Sequence, residues 1–275
     1  MPQQFHFISG LPRSGSTLLS AILRQNPAFC AGISSPVAPL LTSMLQQFSA
    51  GSEHASLVST AQRQTLLQGL FHSYYAEQQD KRVVFDTNRL WCARLPLLQK
   101  LFPQSKVIAC VRNVAWIMDS LERLYSADPF ENSRLFNDEA ERNTVYSRTD
   151  TLAMSNRMVG FAWTALKDAY YSPHANSVLL VDYQLLTEAP EKVLKLIYQF
   201  IDETWFEHRF DDVAFDTPEF DQNIGLSCLH RIRSQVAVAA RQTILPPDLF
   251  ERYAAMNFWG QDTSSQANVI RINQQ

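Results

Sequence analysis

Four short apolar runs punctuate the chain: Phe5–Ser9, Val83–Phe85, Lys106–Val111 and Ser177–Val181. Several are rich in Val and Ile and show little alternation between apolar and polar positions. Parallel strands covered on both faces have this pattern. Helical spacing follows or separates the runs. Thr17–Gln25 comes after the first, and Leu95–Phe102 lies between the second and third. Val114–Tyr125 follows the third, with Asn113 as N-cap. Ala189–Ile201 follows the fourth, with Thr187 as cap and Pro190 tolerated at its start. Strands alternating with helices predict an α/β fold, a doubly wound parallel sheet flanked by helices.

Two stretches interrupt this alternation. Ser34–Gln79 is rich in Ser, Gln and Leu and reads as one or two helices with a loop near Ser49–Ser56. Ser126–Thr151 is polar and irregular, with charges alternating in sign, as a lid or substrate-recognition segment would be. Helical periodicity returns at Ala153–Tyr171, and a further helix is expected at Pro247–Met256. The chain therefore reads as one domain over residues 1–262, with insertions at about 34–79 and 126–151 and a loosely attached tail at 263–275.

Composition narrows the function classes. With 46% hydrophobic and 19% charged residues, the chain can bury a core without disulfides or a metal. A net charge of −3 lacks the basic surplus of a nucleic-acid binder. Cys30, Cys92, Cys110 and Cys228 are scattered, so neither a disulfide framework nor a zinc site is suggested. The start of the chain lacks the features of a secretory signal, and no apolar run reaches the ~18 residues of a membrane span. The expectation is a cytoplasmic enzyme with reduced thiols and no bound metal.

The strongest local signal is Gly10-Leu-Pro12-Arg13-Ser14-Gly15-Ser16-Thr17, between a strand and a helix. Glycines permit the tight turn, and N–H groups at the helix start then point at an anion. The spacing is that of the phosphate loop G-x-x-x-x-G-K-[ST], with Ser16 at the lysine position. That lysine neutralises β/γ-phosphate charge in nucleotide hydrolases, so its absence argues against ordinary ATP or GTP chemistry. Arg13 supplies a cation elsewhere in the loop.

Pro-Arg-Ser-Gly-Ser-Thr-Leu-Leu after a strand resembles the 5′-phosphosulfate loop of the sulfotransferase family, closest to the bacterial branch related to protein-tyrosine sulfotransferases. The resemblance implies a P-loop-like sheet. It also implies 3′-phosphoadenylyl sulfate (PAPS) as co-substrate, 3′,5′-ADP as product, and no metal. In that family an arginine leaving a later strand, and a serine eight residues beyond it, bind the donor's 3′-phosphate. Arg112 and Ser120 match that spacing. Leu180-Val181-Asp182-Tyr183, followed by Pro190-Glu191, resembles the next family segment, in which Tyr183 either touches the nucleotide or packs at a strand end. Leu229-His230-Arg231-Ile-Arg233 resembles the donor-covering loop, with Arg231 and Arg233 reaching the phosphates or forming a solvated basic patch.

Sulfuryl transfer needs in-line attack and stabilisation of charge on the leaving phosphate oxygen, a role suited to Arg13 and the loop N–H groups. A hydroxyl acceptor also benefits from a general base. Ser34 and Asn88 fall where relatives carry glutamate or histidine, which counts against tyrosine sulfation. Asp86, at the end of a buried strand, is the remaining carboxylate and the candidate base. Its alternatives are a turn cap or a structural partner for Arg89. The acceptor, whether a small molecule, glycan, lipid or peptide, is not written in the sequence. Oligomeric state is open, with a homodimer among the options. Two rival readings stand beside this one. One is a P-loop kinase or nucleoside triphosphatase, using Asp86 or Asp182 to hold Mg²⁺. The other is a non-catalytic nucleotide-binding protein.

Overall fold

Among the described residues, six parallel strands form one sheet in the order β2-β3-β1-β4-β5-β6. They are β1 (Gln4–Gly10), β2 (Phe29–Ala31), β3 (Val83–Thr87), β4 (Val107–Val111), β5 (Val178–Asp182) and β6 (Asn268–Val269). The computed structural model describes residues 3–49, 51–127, 135–213, 236, 241–260 and 264–271. β3 and β4 are buried at every position, which explains why their sequences do not alternate. Their side chains still alternate in direction. Phe5, Phe7, Val84, Val107, Ala109, Val178 and Leu180 enter one core, while Ile8, Val83, Phe85, Ile108, Cys110, Leu179 and Val181 enter the other.

The helices are α1 (Ser16–Leu23), α2 (Val37–Gln47), α3 (Thr60–Tyr74), α4 (Leu90–Ala93), α5 (Leu95–Leu101), α6 (Val114–Ser126), α7 (Glu139–Arg142), α8 (Val145–Ala153), α9 (Met158–Tyr171), α10 (Tyr183–Glu188), α11 (Pro190–Phe200) and α12 (Pro247–Ala254). α1, α10 and α11 cover one face of the sheet through Leu19, Ile22, Leu186, Val193 and Ile197. The insertion helices α2 and α3, together with α4–α6, α9 and α12, cover the other. On that second face Phe7 meets Trp91 and Phe71 at ring separations of 5.1 and 5.8 Å. Each such side chain contributes about 1.5–3 kcal/mol by its burial.

The predicted strands and main helices are present, and four local expectations change. Residues 135–151, inside the stretch expected to be irregular, carry α7 and most of α8. Asp138 caps the first, and a Thr144–Ser147 capping box opens the second. Caps and charges rather than an apolar stripe define these short helices, so periodicity does not reveal them. The helix expected at 189–201 is α11, and the unexpected α10 precedes it; the two are separated at Ala189, because Pro190 has no N–H to continue the ladder. Thr187 is not its cap. The Thr187 hydroxyl bonds back to the Tyr183 and Gln184 carbonyls within α10. Finally, the expected tail supplies β6 at the sheet edge: Ile270 N–H donates to the Leu180 carbonyl at 3.1 Å, and its side chain is buried.

β1 lies between β3 and β4, so the chain reverses its direction across the sheet there. The carboxyl ends of β1, β3, β4 and β5 open on one edge, and crevices at such a switch point bind ligands in open α/β sheets.

Candidate functional site

At this edge β1 runs into the Gly10–Thr17 loop. Gly10 has φ 105°, and a Cβ there would lie 2.1 Å from the Cys110 carbonyl oxygen. Gly15 has φ 94°, and its Cβ would lie 2.7 Å from the Tyr183 ring. Both positions need glycine for two reasons, backbone angle and close approach. Leu11 N–H donates to the Cys110 carbonyl at 2.9 Å and moors the loop to β4. The Ser14 hydroxyl is turned inward, within hydrogen-bond reach of the Leu11 carbonyl and 2.9 Å from the Cys110 carbonyl. Ser14 can therefore meet an anion through its backbone N–H, not its side chain. Pro12 is buried, while Ser16 and Thr17 are half-buried in the first turn of α1. No side chain caps that turn. Its N–H groups have no acceptor within the helix and carry the positive end of its dipole.

Arg13 adopts a left-handed conformation, φ 57°, which costs a non-glycine residue about 1–2 kcal/mol. The turn sends its guanidinium across to α6, where Nε donates to Ser120 Oγ at 3.2 Å. Arg112, just past β4, donates from Nη1 to the Arg13 carbonyl at 3.3 Å. The Arg112 guanidinium lies 4.5 Å from the centre of the Tyr183 ring, within cation–π range. Tyr183 in turn abuts Gly15. Arg13, Gly15, Arg112, Ser120 and Tyr183 thus form one continuous contact chain between the loop and the end of β4. Asn113 Oδ1 accepts from Ala115 N–H at 2.9 Å and starts α6 where Ser120 can reach this chain. Asp182 caps α10 in the same way, accepting from Gln184 N–H at 2.7 Å. Burial pushes the Asp182 carboxyl up, against the pull of its two N–H donors and Arg112. Arg231 and Arg233 lie outside the described residues.

Asp86 occupies a different setting. It is fully buried at the end of β3. Oδ2 accepts from Ser35 Oγ at 2.6 Å and from the Tyr75 hydroxyl at 2.8 Å, and Oδ1 accepts from Trp91 Nε1 at 2.8 Å. Burial pushes its carboxyl up, and the three donors pull it part of the way back. Arg89, the alternative partner named above, is not among the groups that act on it, and burial lowers the Arg89 guanidinium below its ordinary value. Asn88 Oδ1 accepts from Leu90 N–H at 3.0 Å, so this amide is a turn cap.

The sequence did not point to Asp119, beside Ser120 on α6. It is fully buried and gathers Arg123 Nε at 3.0 Å, Thr243 Oγ1 at 3.2 Å, Ile244 N–H at 2.8 Å and the Arg241 guanidinium. An acidic residue between Met118 and Ser120 on a helix otherwise buried there was the available clue. Among the described residues, no cluster of three or more His, Cys, Asp or Glu side chains is arranged to hold a metal, and no helix is long and apolar enough to cross a membrane.

Comparison with known proteins follows the same outline. The model of the sulfotransferase family matches residues 6–207. Protein-tyrosine sulfotransferase 1 of Danio rerio is 26% identical over 206 residues, which cover 72% of this chain and 53% of that protein. The chain thus spans about half the length of this curated relative. Among solved structures, the sulfotransferase domain from the curacin biosynthetic pathway superposes with a TM-score of 0.56 at 16% identity, covering 93% of this chain and 97% of that one. The sulfotransferase domain of the Synechococcus PCC 7002 olefin synthase superposes with a TM-score of 0.50 at 18% identity, covering 95% and 96%. These two share the fold described above.

Proposed function

Because the chain belongs to the sulfotransferase family, we propose that it moves a sulfuryl group from PAPS to a hydroxyl or amine acceptor, by in-line transfer without a metal. The observation that carries this reading is the contact chain from Gly15 through Tyr183, Arg112 and Arg13 to Ser120. It joins two places suited to anions, as a donor with a 5′-phosphosulfate and a ribose 3′-phosphate requires.

In this reading the N–H groups of Ser14, Gly15, Ser16 and Thr17 cradle the 5′ end, and Pro12 shapes the turn beneath it. Arg13 stabilises charge on the oxygen that leaves sulfur. Arg112 and Ser120 hold the 3′-phosphate, and Tyr183 borders the nucleotide. Arg231 and Arg233 are assigned to the cover of the same site by family resemblance. The acceptor oxygen attacks sulfur, the sulfur–phosphate oxygen bond breaks, and the electron pair stays on the phosphate. Asp86 is assigned as the base. Since its carboxylate is sealed, the acceptor proton passes to Ser35 Oγ as the Ser35 proton passes to Asp86 Oδ2, along the 2.6 Å hydrogen bond between them. The same sealing counts against the form of the triphosphatase reading that opens Asp86 to Mg²⁺.

The test is incubation of the protein with labelled PAPS and a mixed acceptor extract of small molecules, glycans, lipids and peptides. Transfer is expected without added metal. Arg13→Ala should lower it sharply, and Ser35→Ala and Asp86→Asn should slow transfer to hydroxyl acceptors while sparing 3′,5′-ADP binding. Absence of label in every acceptor, from folded protein that binds 3′,5′-ADP, would favour a nucleotide-binding protein without catalysis.

A further inference from the structure

Both hydroxyls that reach Asp86 Oδ2 come from the 34–79 insertion. Ser35, just ahead of α2, donates at 2.6 Å, and Tyr75, at the end of α3, donates at 2.8 Å. Trp91 Nε1, from α4, donates to the other oxygen at 2.8 Å. Donors on both oxygens fix the plane of the carboxylate and keep Oδ2 turned toward Ser35. Ser35 Oγ also accepts from Val37 N–H at 3.2 Å. A serine oxygen has two lone pairs, so one remains for the proton of an acceptor hydroxyl.

The Tyr75 ring is held without help from its hydroxyl. It is buried, 6.0 Å from the Phe5 ring and edge-on to Tyr74 at 4.8 Å. Its backbone N–H donates to the Phe71 carbonyl at 3.0 Å and ends α3. What the hydroxyl adds is the bond to Asp86. Burial and the nearby Asp86 charge push the phenol far up, so it stays a donor at neutral pH. Burial also favours the neutral form of Asp86, which cannot take a proton from Ser35. A hydrogen bond to the charged form opposes that trend. Tyr75 supplies one on the oxygen that must receive the proton.

We propose that Tyr75 is a positioning residue for the acceptor-side base, whose hydroxyl keeps the Asp86 carboxylate ionised and its Oδ2 aimed at Ser35. This rests on the base assignment above and extends it to a residue that no motif or family spacing identifies. As the acceptor oxygen attacks sulfur, its O–H bond breaks and Ser35 Oγ takes the proton. The Ser35 proton moves to Asp86 Oδ2, and Tyr75 keeps its own proton throughout. The groups facing Asp86 are Ser35, Trp91, Tyr74 and Tyr75 from the helices and Cys30 from β2. All are uncharged in the acid and neutral range, so the acid limb of transfer belongs to Asp86.

Tyr75→Phe removes one oxygen and keeps the buried ring. Carbon NMR of the full chain, isotope-labelled at aspartate, follows the Asp86 carboxyl, which is identified by its loss in Asp86→Asn. Its titration midpoint should rise by about one pH unit in Tyr75→Phe, the effect of losing one hydrogen bond to a charged group. Single-turnover transfer from labelled PAPS to the hydroxyl acceptors of the mixed extract should follow. Well below the wild-type midpoint it should fall about tenfold, and on the alkaline plateau by less than about threefold. Fluorotyrosine in place of Tyr75, a stronger donor of nearly the same shape, should move both midpoints down, and it carries the test if Tyr75→Phe does not fold. Thermal melting of each variant checks the fold. An Asp86 midpoint that does not move, or an equal loss of transfer at every pH, would overturn the role of Tyr75 alone. A wild-type acid limb that survives in Asp86→Asn would overturn the base assignment itself, and this inference with it.

Discussion

Asp86 lies near the end of β3 and Asp119 within α6, the helix that follows β4, and neither exposes any surface to solvent. Asp86 is held by a serine, a tyrosine and a tryptophan, all uncharged. Asp119 is held by two arginines, a threonine and a backbone N–H. Burial raises the first carboxyl above its usual range. Burial acts the same way on the second, but Ile244 N–H, Arg123 and Arg241 outweigh it and hold Asp119 low. Two solvent-sealed carboxyls thus shift in opposite directions: Asp86 lies deeper and has only uncharged partners, whereas at Asp119 the backbone and guanidinium donors prevail. The Asp119 half is committed to an anion and serves as an anchor. The Asp86 half holds a carboxyl raised toward its protonated form, which suits the base role proposed for it.

The largest difference between the halves should appear on truncation. Asp119→Ala leaves two arginines facing a vacated pocket, and removing one partner of a buried pair costs about 3–5 kcal/mol. Urea unfolding should show this loss, and a change under 1 kcal/mol would mean that Asp119 is a surface-like pair after all. On the same side of the sheet, Arg13→Ala should lower the transfer rate by about 10²–10³-fold, the usual effect of deleting one donor to developing charge. Single-turnover transfer from labelled PAPS measures it.

A third contrast involves buried histidines. His208 Nε2 meets the Tyr198 hydroxyl at 2.9 Å, and His6 Nδ1 accepts from Lys106 N–H at 3.1 Å. Burial lowers both to about 4, and Lys106 adds to the effect at His6. A histidine whose folded pKa lies below its unfolded value favours the unfolded chain when protonated. Stability should therefore fall as pH drops from about 6.5 to about 4, by up to about 3 kcal/mol for each ring. Denaturant titrations across that range should flatten in His208→Gln, and an unchanged slope would remove His208 from the account.

Continuous apolar runs made β1, β3, β4 and β5 readable, because strands buried on both faces leave no other pattern. β2 and β6 are three and two residues long, too short for any period to register. They exist because Phe29 packs on Phe85 and Tyr198, and because Ile270 fills the edge beside Leu180. The loop was legible for a local reason: Gly10, Arg13 and Gly15 share one turn, and spacing alone describes a turn. Orientation is not local. Nothing in the sequence tells that the Ser14 hydroxyl points at Cys110, or that Asp119 meets an arginine 122 residues away. Asp86 shows the same boundary. Its position at a strand end was readable, but its enclosure by Ser35, Tyr75 and Trp91 depends on how the 34–79 insertion packs.

That enclosure gives the smallest and most discriminating effect. Among the described residues, no cation acts on an ionised Asp86. The titratable groups that act with it are Tyr75 and Tyr74 from the end of α3 and Cys30 from β2, none of which is positive at neutral pH. Asn at this position keeps an oxygen for Trp91, and its amide N–H can donate to the Ser35 and Tyr75 oxygens once those hydroxyls rotate. Asp86→Asn should therefore change neutral-pH stability by no more than about 1 kcal/mol, despite disturbing three buried hydrogen bonds. The pH dependence carries the sign. A carboxyl whose folded pKa is raised binds more protons folded than unfolded, so its contribution to stability declines as pH rises from its unfolded value near 3.9 through the raised folded value. Replacing it with Asn removes that decline, whereas Asp119→Asn removes a contribution that is lost as pH falls below the usual carboxylate range. Unfolding free energies of the two variants against wild type over the acid range should therefore diverge in opposite directions, and parallel curves would show that charge on the partners does not set the difference between the two halves.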